Sequence, residues 1–383
     1  MNTDASKALW RPDGVLHLHG RELGCERTGR KTSRAGLSPC LTAVSSRLAA
    51  TVWYCVPMDL PPRLRKVIDA ALEGVPLSDL ASASDALSRR YRSEVRDGRL
   101  HISDERAALA YLATRMPATY AAIHAGFRAA AELLPAFSPV TALDAGAGPG
   151  TALWAARSCW PTITDAELIE ASAPIRAWGE KLSAESGTGN VAWRAGDLPG
   201  DSGGPPRDLV MLAYVLDELA PPDRDALIGR LWARTSGVLV IVEPGTPAGW
   251  QRILAARSQL IDAGAHIVAP CPHHAACPLS APDWCHFSAR LARSRMHRLA
   301  KGGDVPWEDE KFIYLAASRL GPAGRHARIL AAPQTASGRV RLKLCQPDGT
   351  VSHRLITRRE GDAYKAARRS DWGDMLRVAG DRD

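Results

Sequence analysis

The chain has 383 residues, of which 45% are hydrophobic and 23% are charged. This length supports one large or two medium domains with apolar cores, and the composition excludes a collagen-like chain, a disulfide-rich mini-protein and overall disorder. The formal net charge of +8 is uneven: residues 1–57 carry 8 basic and 4 acidic groups, residues 58–285 carry 21 and 26, and residues 286–383 carry 20 and 11. The basic C-terminal quarter favours a polyanionic partner, most often nucleic acid, although a solvated Arg-rich surface has the same balance.

The sequence also limits the cellular compartments in which the protein is expected. No run of 18 apolar residues occurs, so no membrane span is predicted. The N-terminal residues do not have the pattern of a secretory signal, because their apolar part begins late and is interrupted by Arg47. Eight cysteines in a chain of this length, without a signal, favour a reducing compartment in which disulfides are not expected.

The first two segments differ in periodicity. Residues 1–57 show no sustained pattern, and we interpret them as a flexible extension or a mis-assigned start, with Met58 as the true one. Residues 58–137 predict a helical N-terminal subdomain. Within it the predicted helices are Ser78–Val95 and Ser103–Arg115, each opening on a candidate N-cap serine, then a break at Met116-Pro117 and a helix over Ala118–Leu134.

From residue 138 to residue 320 strands and helices alternate, which predicts an α/β fold with a parallel sheet covered on both faces. The predicted strands are Thr141–Asp144, Ala166–Glu170, Val191–Arg194, Asp208–Tyr214 and Gly237–Glu243. Residues 321–383 predict a small, basic, β-rich C-terminal module with a hairpin turn at Pro347–Gly349 and a short helix over Asp362–Arg369.

A glycine loop follows the first strand of the predicted sheet. Its sequence is Leu-Asp-Ala-Gly-Ala-Gly-Pro-Gly, with Asp144 in the strand end and Gly146, Gly148 and Gly150 in the turn. Glycines allow a tight turn and a close approach of the backbone to a ligand at a helix N-terminus. The acid ahead of the first glycine is more typical of an S-adenosylmethionine loop than of a dinucleotide loop. We therefore predict a Rossmann-like sheet of the class I S-adenosylmethionine-dependent methyltransferase type.

Two further acids are candidates for the same ligand, and a catalytic motif is missing. Glu170 ends the second strand, where a carboxylate would bind the ribose hydroxyls, and Asp197 is placed to contact the adenine amine. After the fourth strand the chain has neither an Asn-Pro-Pro-Tyr motif nor a Pro-Cys nucleophile. We interpret Asp217 and Glu218 there as helix N-terminal charges. Cofactor binding is therefore predicted, whereas the catalytic residues are unknown and methyl transfer is doubtful.

Three cysteines fall within fifteen residues of a loop-like segment, 271–287. Cys271, Cys277 and Cys285 have the spacing C-x5-C-x7-C, and a fourth, Cys345, ends a strand about sixty residues later. Four thiolates suit either a zinc ion or an iron–sulfur cluster. The wide spacing favours the cluster, while His273, His274 and His286 keep zinc open as an alternative.

These motifs together resemble the mitoribosomal small-subunit (Rsm-type) methyltransferase-like family and its bacterial members. The resemblance covers Met58 to Arg377 and includes Arg-Met-Pro-Ala-Thr-Tyr at 115–120, Val-Glu-Pro-Gly-Thr-Pro at 242–247 and Trp-Gly-Asp at 372–374. It implies a class I methyltransferase fold, a [4Fe–4S] cluster and binding to the RNA of the small ribosomal subunit during assembly. The cluster ligands that it implies are Cys271, Cys277, Cys285 and Cys345.

The resulting hypothesis is a monomeric assembly or translation factor that binds rRNA, S-adenosylmethionine and a structural cluster, without a membrane. The candidate phosphate contacts are Arg290, Arg293, Arg295, Arg298, Arg339, Arg341 and Lys343. Trp284, His286 and Phe287 are expected either to stack on unpaired bases or to pack around the cluster. The alternatives are an active rRNA methyltransferase and a small-molecule methyltransferase with a structural zinc. We expect a bacterial cytoplasm, with the mitochondrial matrix as the alternative.

Overall fold

The computed structural model describes residues 58–92, 100–186, 189–198, 203–324 and 326–377. The predicted extension 1–57 therefore lies outside the described residues. The helices are α1 (Pro62–Ala71), α2 (Leu77–Arg92), α3 (Glu105–Ala110), α4 (Met116–Leu133), α5 (Thr151–Cys159), α6 (Ala173–Ser186), α7 (Pro221–Ala233), α8 (Pro247–Asp262), α9 (Arg295–Ala300) and α10 (Asp362–Arg369).

The strands form two sheets. Those of the large sheet are β1 (Thr141–Ala145), β2 (Asp165–Glu170), β3 (Asn190–Ala195), β4 (Arg207–Ala213), β5 (Thr235–Pro244), β6 (His266–Ala269), β7 (Phe287–Ala292) and β8 (Trp307–Ser318). Those of the small sheet are β9 (His326–Ile329), β10 (Gln334–Ala336), β11 (Arg339–Cys345), β12 (Val351–Thr357) and β13 (Met375–Arg377).

The large sheet has the order β3-β2-β1-β4-β5-β8-β6, and β7 pairs with the other half of β8. Strands β1 to β5 are parallel, whereas β8 runs antiparallel to β5. This order, with one antiparallel strand inserted beside β5, is that of a class I methyltransferase, so the predicted fold class is confirmed. The strands β4 and β5 are almost wholly buried, as expected for a sheet covered on both faces.

The N-terminal helices pack onto this sheet and share its apolar core. Leu64, Leu80 and Leu112 belong to the same buried cluster as Leu143 of β1. The small sheet has a separate core that includes Val340 and Ile356, covered by Tyr364 of α10. Among the described residues, no helix is long and apolar enough to cross a bilayer.

Three local predictions were wrong. The expected break at Met116-Pro117 is instead a π-helical turn, Tyr111–Arg115, that leads directly into α4. Pro117, which has no N–H to donate, lies where the pairing changes from π-helical to α-helical, so its missing hydrogen bond coincides with this irregularity. Helix α2 begins at Leu77, so Ser78 lies inside its first turn and is not its N-cap. The N-cap of α3 is Asp104 rather than Ser103, since its carboxylate accepts the backbone N–H of Ala107 at 2.8 Å.

Candidate functional site

The glycine loop lies between the end of β1 and the start of α5, as predicted. Gly146, Gly148 and Gly150 have φ values of 71°, 55° and 80°, in the left-handed region that favours glycine. At Gly146 a β-carbon would also come within 2.5 Å of the Val215 side chain. Conformation and space therefore both require glycine at this turn, and they bring the loop backbone against a pocket.

The three predicted cofactor carboxylates line this glycine-loop pocket together: Asp144, Glu170 and Asp197. Asp144 is 1% exposed, and its Oδ2 has no hydrogen-bond partner. Burial, and then the charge of Glu170, raise the pKa of Asp144 to about 7. Glu170 accepts the backbone N–H of Gly148 at 2.8 Å and of Ser172 at 2.7 Å, so it also holds the loop in shape.

An ion pair beside the pocket, between Arg115 of its lining and Glu310, was missed by sequence reasoning. The Arg115 guanidinium donates to both oxygens of Glu310, at 3.2 and 3.4 Å, and the Tyr214 hydroxyl donates to the same carboxylate at 3.3 Å. The guanidinium also lies 5.8 Å from the ring centroid of Tyr91 and 6.0 Å from that of Tyr214. Burial raises the pKa of both tyrosines well above the usual value. Tyr91, Arg115 and Tyr214 therefore form a cationic and aromatic wall of the pocket.

The segment after β4 departs from its prediction. Tyr214 has a φ of 59°, a conformation that is rare for a bulky residue and typical of functional sites. Asp217 and Glu218 are not helix N-terminal charges, because α7 begins at Pro221 with Asp223 in its first turn. Glu218 instead lines the pocket, where burial raises its pKa to about 8.

The four predicted cysteine ligands line one second cavity. Cys271 follows β6, Cys277 lies in the loop, Cys285 precedes β7 and Cys345 ends β11, and all four border this cysteine cavity. Its other polar lining comes from His273, Arg257 and Arg328, with apolar side chains between them. The cavity is therefore lined both by the segment between two strands of the large sheet and, through Cys345, by the small sheet.

The four thiols line the same cavity but do not converge on a single metal position. Among the described residues, no three His, Cys, Asp or Glu side chains are arranged to hold one metal ion. Cys345 Sγ is 3.3 Å from His273 Nε2. Burial raises the pKa of Cys271 and Cys285, and it raises that of Cys345 to about 12, with the neighbouring thiols adding to the shift.

The seven predicted phosphate contacts divide into three groups. Arg339 and Arg341 are exposed on the outer face of β11, whose alternate residues Val340 and Leu342 are buried. The register of β12 places His353, Leu355 and Thr357 on the same outer face, opposite Lys343, Arg341 and Arg339. His353 and Leu355 are also exposed. We call these side chains the outer basic face; its β12 members were not predicted.

Three other predicted contacts are already paired with acids. Arg290 makes a bidentate ion pair with Asp309, at 2.7 and 2.8 Å, and Arg293 donates to Glu308 at 3.1 Å. Lys343 pairs with Asp283 of the cysteine loop. For the remaining two, Arg295 and Arg298, the described part of the chain offers no such acid; Arg295 is exposed and Arg298 is half-buried.

Of the three aromatic candidates, Phe287 is buried, whereas Trp284 and His286 are half-buried. Phe287 packs against Phe312 and Tyr314, with ring centroids 6.0 and 5.5 Å apart. Trp284 stacks on His286 at 4.9 Å, and Trp372 meets that imidazole edge-on at 4.7 Å. These rings connect the cysteine loop to the C-terminal segment.

The fold and the glycine-loop pocket define a protein of the class I methyltransferase type. The family model described as "Mitochondrial small ribosomal subunit Rsm22" matches residues 105–377, and the chain belongs to this family. It is 31% identical, over 349 residues, to the human protein "Ribosome assembly protein METTL17, mitochondrial", with 84% of this chain and 74% of the relative covered. It is also 24% identical to the Schizosaccharomyces pombe "Rsm22-cox11 tandem protein 2, mitochondrial", of which it spans 43%.

Solved structures with a similar arrangement are methyltransferases of low sequence identity. An O-methyltransferase family protein from Burkholderia thailandensis is 15% identical with a TM-score of 0.40, covering 64% of this chain and 72% of the other. The magnesium protoporphyrin IX methyltransferase of Synechocystis, solved with bound SAH, is 13% identical with a TM-score of 0.36, covering 63% and 100%. The fold class rests on the strand order and not on these likenesses.

Proposed function

We propose that the protein is a methyltransferase-like assembly factor of the small ribosomal subunit, which binds rRNA, S-adenosylmethionine and a [4Fe–4S] cluster. Membership of the Rsm22 family and the printed name of the human relative supply the ribosomal context. The observation that carries the proposal is the position of the cysteine cavity. Thiols from the loop after β6 and from the end of β11 lie together there, so one centre would join the cofactor-binding sheet to the basic sheet.

The outer basic face is the proposed contact surface for rRNA. Arg339 and Arg341 are exposed and have no carboxylate partner in the described part of the chain, so both are available to phosphates. The neighbouring imidazole of His353 and the exposed Leu355 extend the same face. Arg290, Arg293 and Lys343 have their charge offset by acids, and they contribute less.

The glycine-loop pocket fits S-adenosylmethionine. Asp144 directs a buried, unpartnered oxygen into the pocket, which suits the cationic ammonium of the methionine end. Gly146, Gly148 and Gly150 bring backbone groups close to the ligand, and Glu170 and Asp197 line the part of the pocket assigned to the ribose and the adenine. The cofactor, when bound, supplies an activated methyl group.

The cysteine cavity fits a cubane better than a single zinc ion. In a [4Fe–4S] cluster each thiolate binds a different iron, so four sulfurs that share a cavity without converging suit it. Cys271, Cys277, Cys285 and Cys345 would be the ligands. The centre, when bound, supplies a covalent connection between the two sheets, and its binding free energy becomes stability of that joint.

Methyl transfer is the second candidate activity. Two features argue against it: the chain has no recognised catalytic motif after β4, and the pocket-lining residues Arg115 and Tyr214 are already engaged with Glu310. We therefore propose a binding role for the pocket. Methyl incorporation into purified small-subunit RNA that is lost in Asp144→Ala would instead establish the active rRNA methyltransferase.

The compartment and the oligomeric state remain part of the proposal. All three curated relatives are mitochondrial by name, which favours the mitochondrial alternative over the bacterial cytoplasm. We propose a monomer.

Binding of the full chain to purified small-subunit rRNA over a salt series tests the proposed function. A protein that neutralises several phosphates loses affinity steeply as salt rises. Binding that is absent, or that does not change with salt, would contradict the proposal and favour the small-molecule methyltransferase with a structural zinc.

A further inference from the structure

Two buried arginines border the cysteine cavity, and their role goes beyond the proposed ligand set, on which this inference rests. Arg257, on α8, is 5% exposed. Its Nη2 donates to the carbonyl oxygens of His273 at 2.7 Å and Ala275 at 2.8 Å, both in the loop between Cys271 and Cys277. Its Nε is buried without a partner, so the donor set of this guanidinium is incomplete. The charge of Arg257 also opposes the rise in the pKa of Cys271.

Arg328, on β9, also lines the cavity and is 1% exposed. In the antiparallel pairing of β9 with β11 it is the register partner of Cys345. Its Nε donates to the carbonyl oxygen of Pro270 at 3.0 Å, next to Cys271, and its Nη1 donates to that of Gly373 at 2.8 Å. One guanidinium therefore connects the cysteine loop, the small sheet and the C-terminal segment.

Neither guanidinium makes an ion pair with a carboxylate of the described residues, although both are almost fully buried. By contrast Arg252, also buried on α8, pairs with Glu243 at 2.7 Å. A buried charge is costly unless an opposite charge lies close to it. The charges of Glu132 and Asp374 act on Arg328 from beyond ion-pair distance. The cavity therefore contains two positive charges, and neither makes an ion-pair contact with a carboxylate of the described residues.

A tetrathiolate centre supplies the missing charge. Four thiolates around an oxidised [4Fe–4S] core, or around one zinc ion, form a centre with two net negative charges. Arg257 and Arg328 supply two positive charges. The two negative charges of the centre balance the two arginines whether the centre contains iron or zinc.

We propose that Arg257 and Arg328 are positioning residues that neutralise a tetrathiolate metal centre and hold the cysteine loop and β11 around it. Without the centre the two guanidinium groups are buried cations that destabilise the cavity. With the centre they become its charge-assisted hydrogen-bond donors. Metal loading and the joint between the two sheets are thereby coupled through these two side chains.

The test compares charge-removing and charge-keeping substitutions in the full chain. Arg257→Gln and Arg328→Gln remove the charge, whereas Arg257→Lys and Arg328→Lys keep it and lose the fork of donors. Arg252→Gln is the matched control, because it removes a buried arginine of the same helix whose charge is already paired with Glu243. The readout is the rate at which a chelator of ferrous iron or of zinc removes metal from anaerobically purified protein, with near-ultraviolet circular dichroism to verify folding.

We expect the Gln variants to lose metal roughly tenfold to 100-fold faster than wild type, the range for groups that support metal ligands. The Lys variants and Arg252→Gln should stay within about threefold of wild type. Equal losses in the Lys and Gln variants, or no loss in the Gln variants, would overturn the proposal. If wild-type protein binds neither iron nor zinc, the proposed metal centre itself is wrong. That outcome is distinct from a failure of the two arginines to support the centre.

Discussion

Arg115 and Glu310 form a bidentate ion pair across 195 residues of sequence, beside the glycine-loop pocket that Arg115 lines. Arg115 ends the π-helical turn before α4, and Glu310 lies on the antiparallel strand β8. The pair therefore connects the N-terminal helices to the large sheet.

We predict that Glu310→Gln lowers the free energy of unfolding by about 3 kcal/mol, because it leaves a buried arginine without its counter-charge. Urea unfolding at neutral pH measures the change. The matched control is Glu360→Gln, which removes an exposed charge partner of Arg354 and is expected to leave stability nearly unchanged. Equal effects of the two substitutions would show that the buried pair does not fasten the helices.

We predict that Asp144→Asn weakens the binding of S-adenosylmethionine about tenfold or more, because the carboxylate would pair with the cationic ammonium of the ligand. Titration calorimetry measures the dissociation constant. Since burial raises the pKa of Asp144 to about 7, wild-type affinity should also fall as pH falls below that value. Asp85→Asn, an exposed helix residue outside the pocket, is the control. Unchanged affinity in Asp144→Asn would show that this carboxylate does not contact the ligand.

Three buried carboxyl groups are predicted to contribute more stability to the ligand-free protein at pH 6 than at pH 8. Burial raises the pKa of Asp144 and Glu243 to about 7 and that of Glu218 to about 8, all above their unfolded values. Between those limits these carboxyls bind more protons in the folded state than in the unfolded state, so their contribution to stability falls as pH rises. Buried histidines with a lowered pKa, such as His297 and His326, act in the opposite direction, so the test is a comparison of variants. Chemical unfolding at both pH values should show a smaller loss of stability with rising pH in Glu218→Gln than in wild type, and an identical pH dependence in the two would contradict the raised pKa of Glu218.

We predict that Arg339→Gln and Arg341→Gln weaken rRNA binding and lower the salt slope by about 0.9 for each phosphate contact removed. The physical reason is that both guanidinium groups are exposed and unpaired with acids in the described residues. Arg290→Gln serves as the control, because the bidentate pair with Asp309 already offsets its charge. An equal loss of affinity in Arg290→Gln would contradict the outer basic face as the RNA-binding surface and would indicate β7 instead.

The sequence was most informative where structure is local. The glycine loop, the carboxylates of β1 and β2, and the parallel strands follow from residue types at short spacing. Arg115, Tyr214 and Glu310 could not be predicted, because they come together only when β8 inserts beside β5. Cys345 was assigned through the family resemblance, and the two arginines of the cysteine cavity were missed because their partners are backbone carbonyls distant in sequence.

We predict that Cys345→Ser loses the metal and exposes the C-terminal module to proteolysis, because Cys345 is the proposed ligand from the small sheet. Cys159→Ser is the matched control, since Cys159 lies outside the cysteine cavity. Limited proteolysis of the two variants side by side measures the effect. Identical digestion patterns would show that the cavity does not hold the small sheet in place.

The most direct measurement is the metal content and absorption spectrum of anaerobically purified wild-type protein. A [4Fe–4S] centre held by Cys271, Cys277, Cys285 and Cys345 predicts about four irons per chain and broad absorption near ~400 nm. Both signals should disappear in Cys345→Ser. One zinc per chain without iron, or no metal at all, would contradict the account.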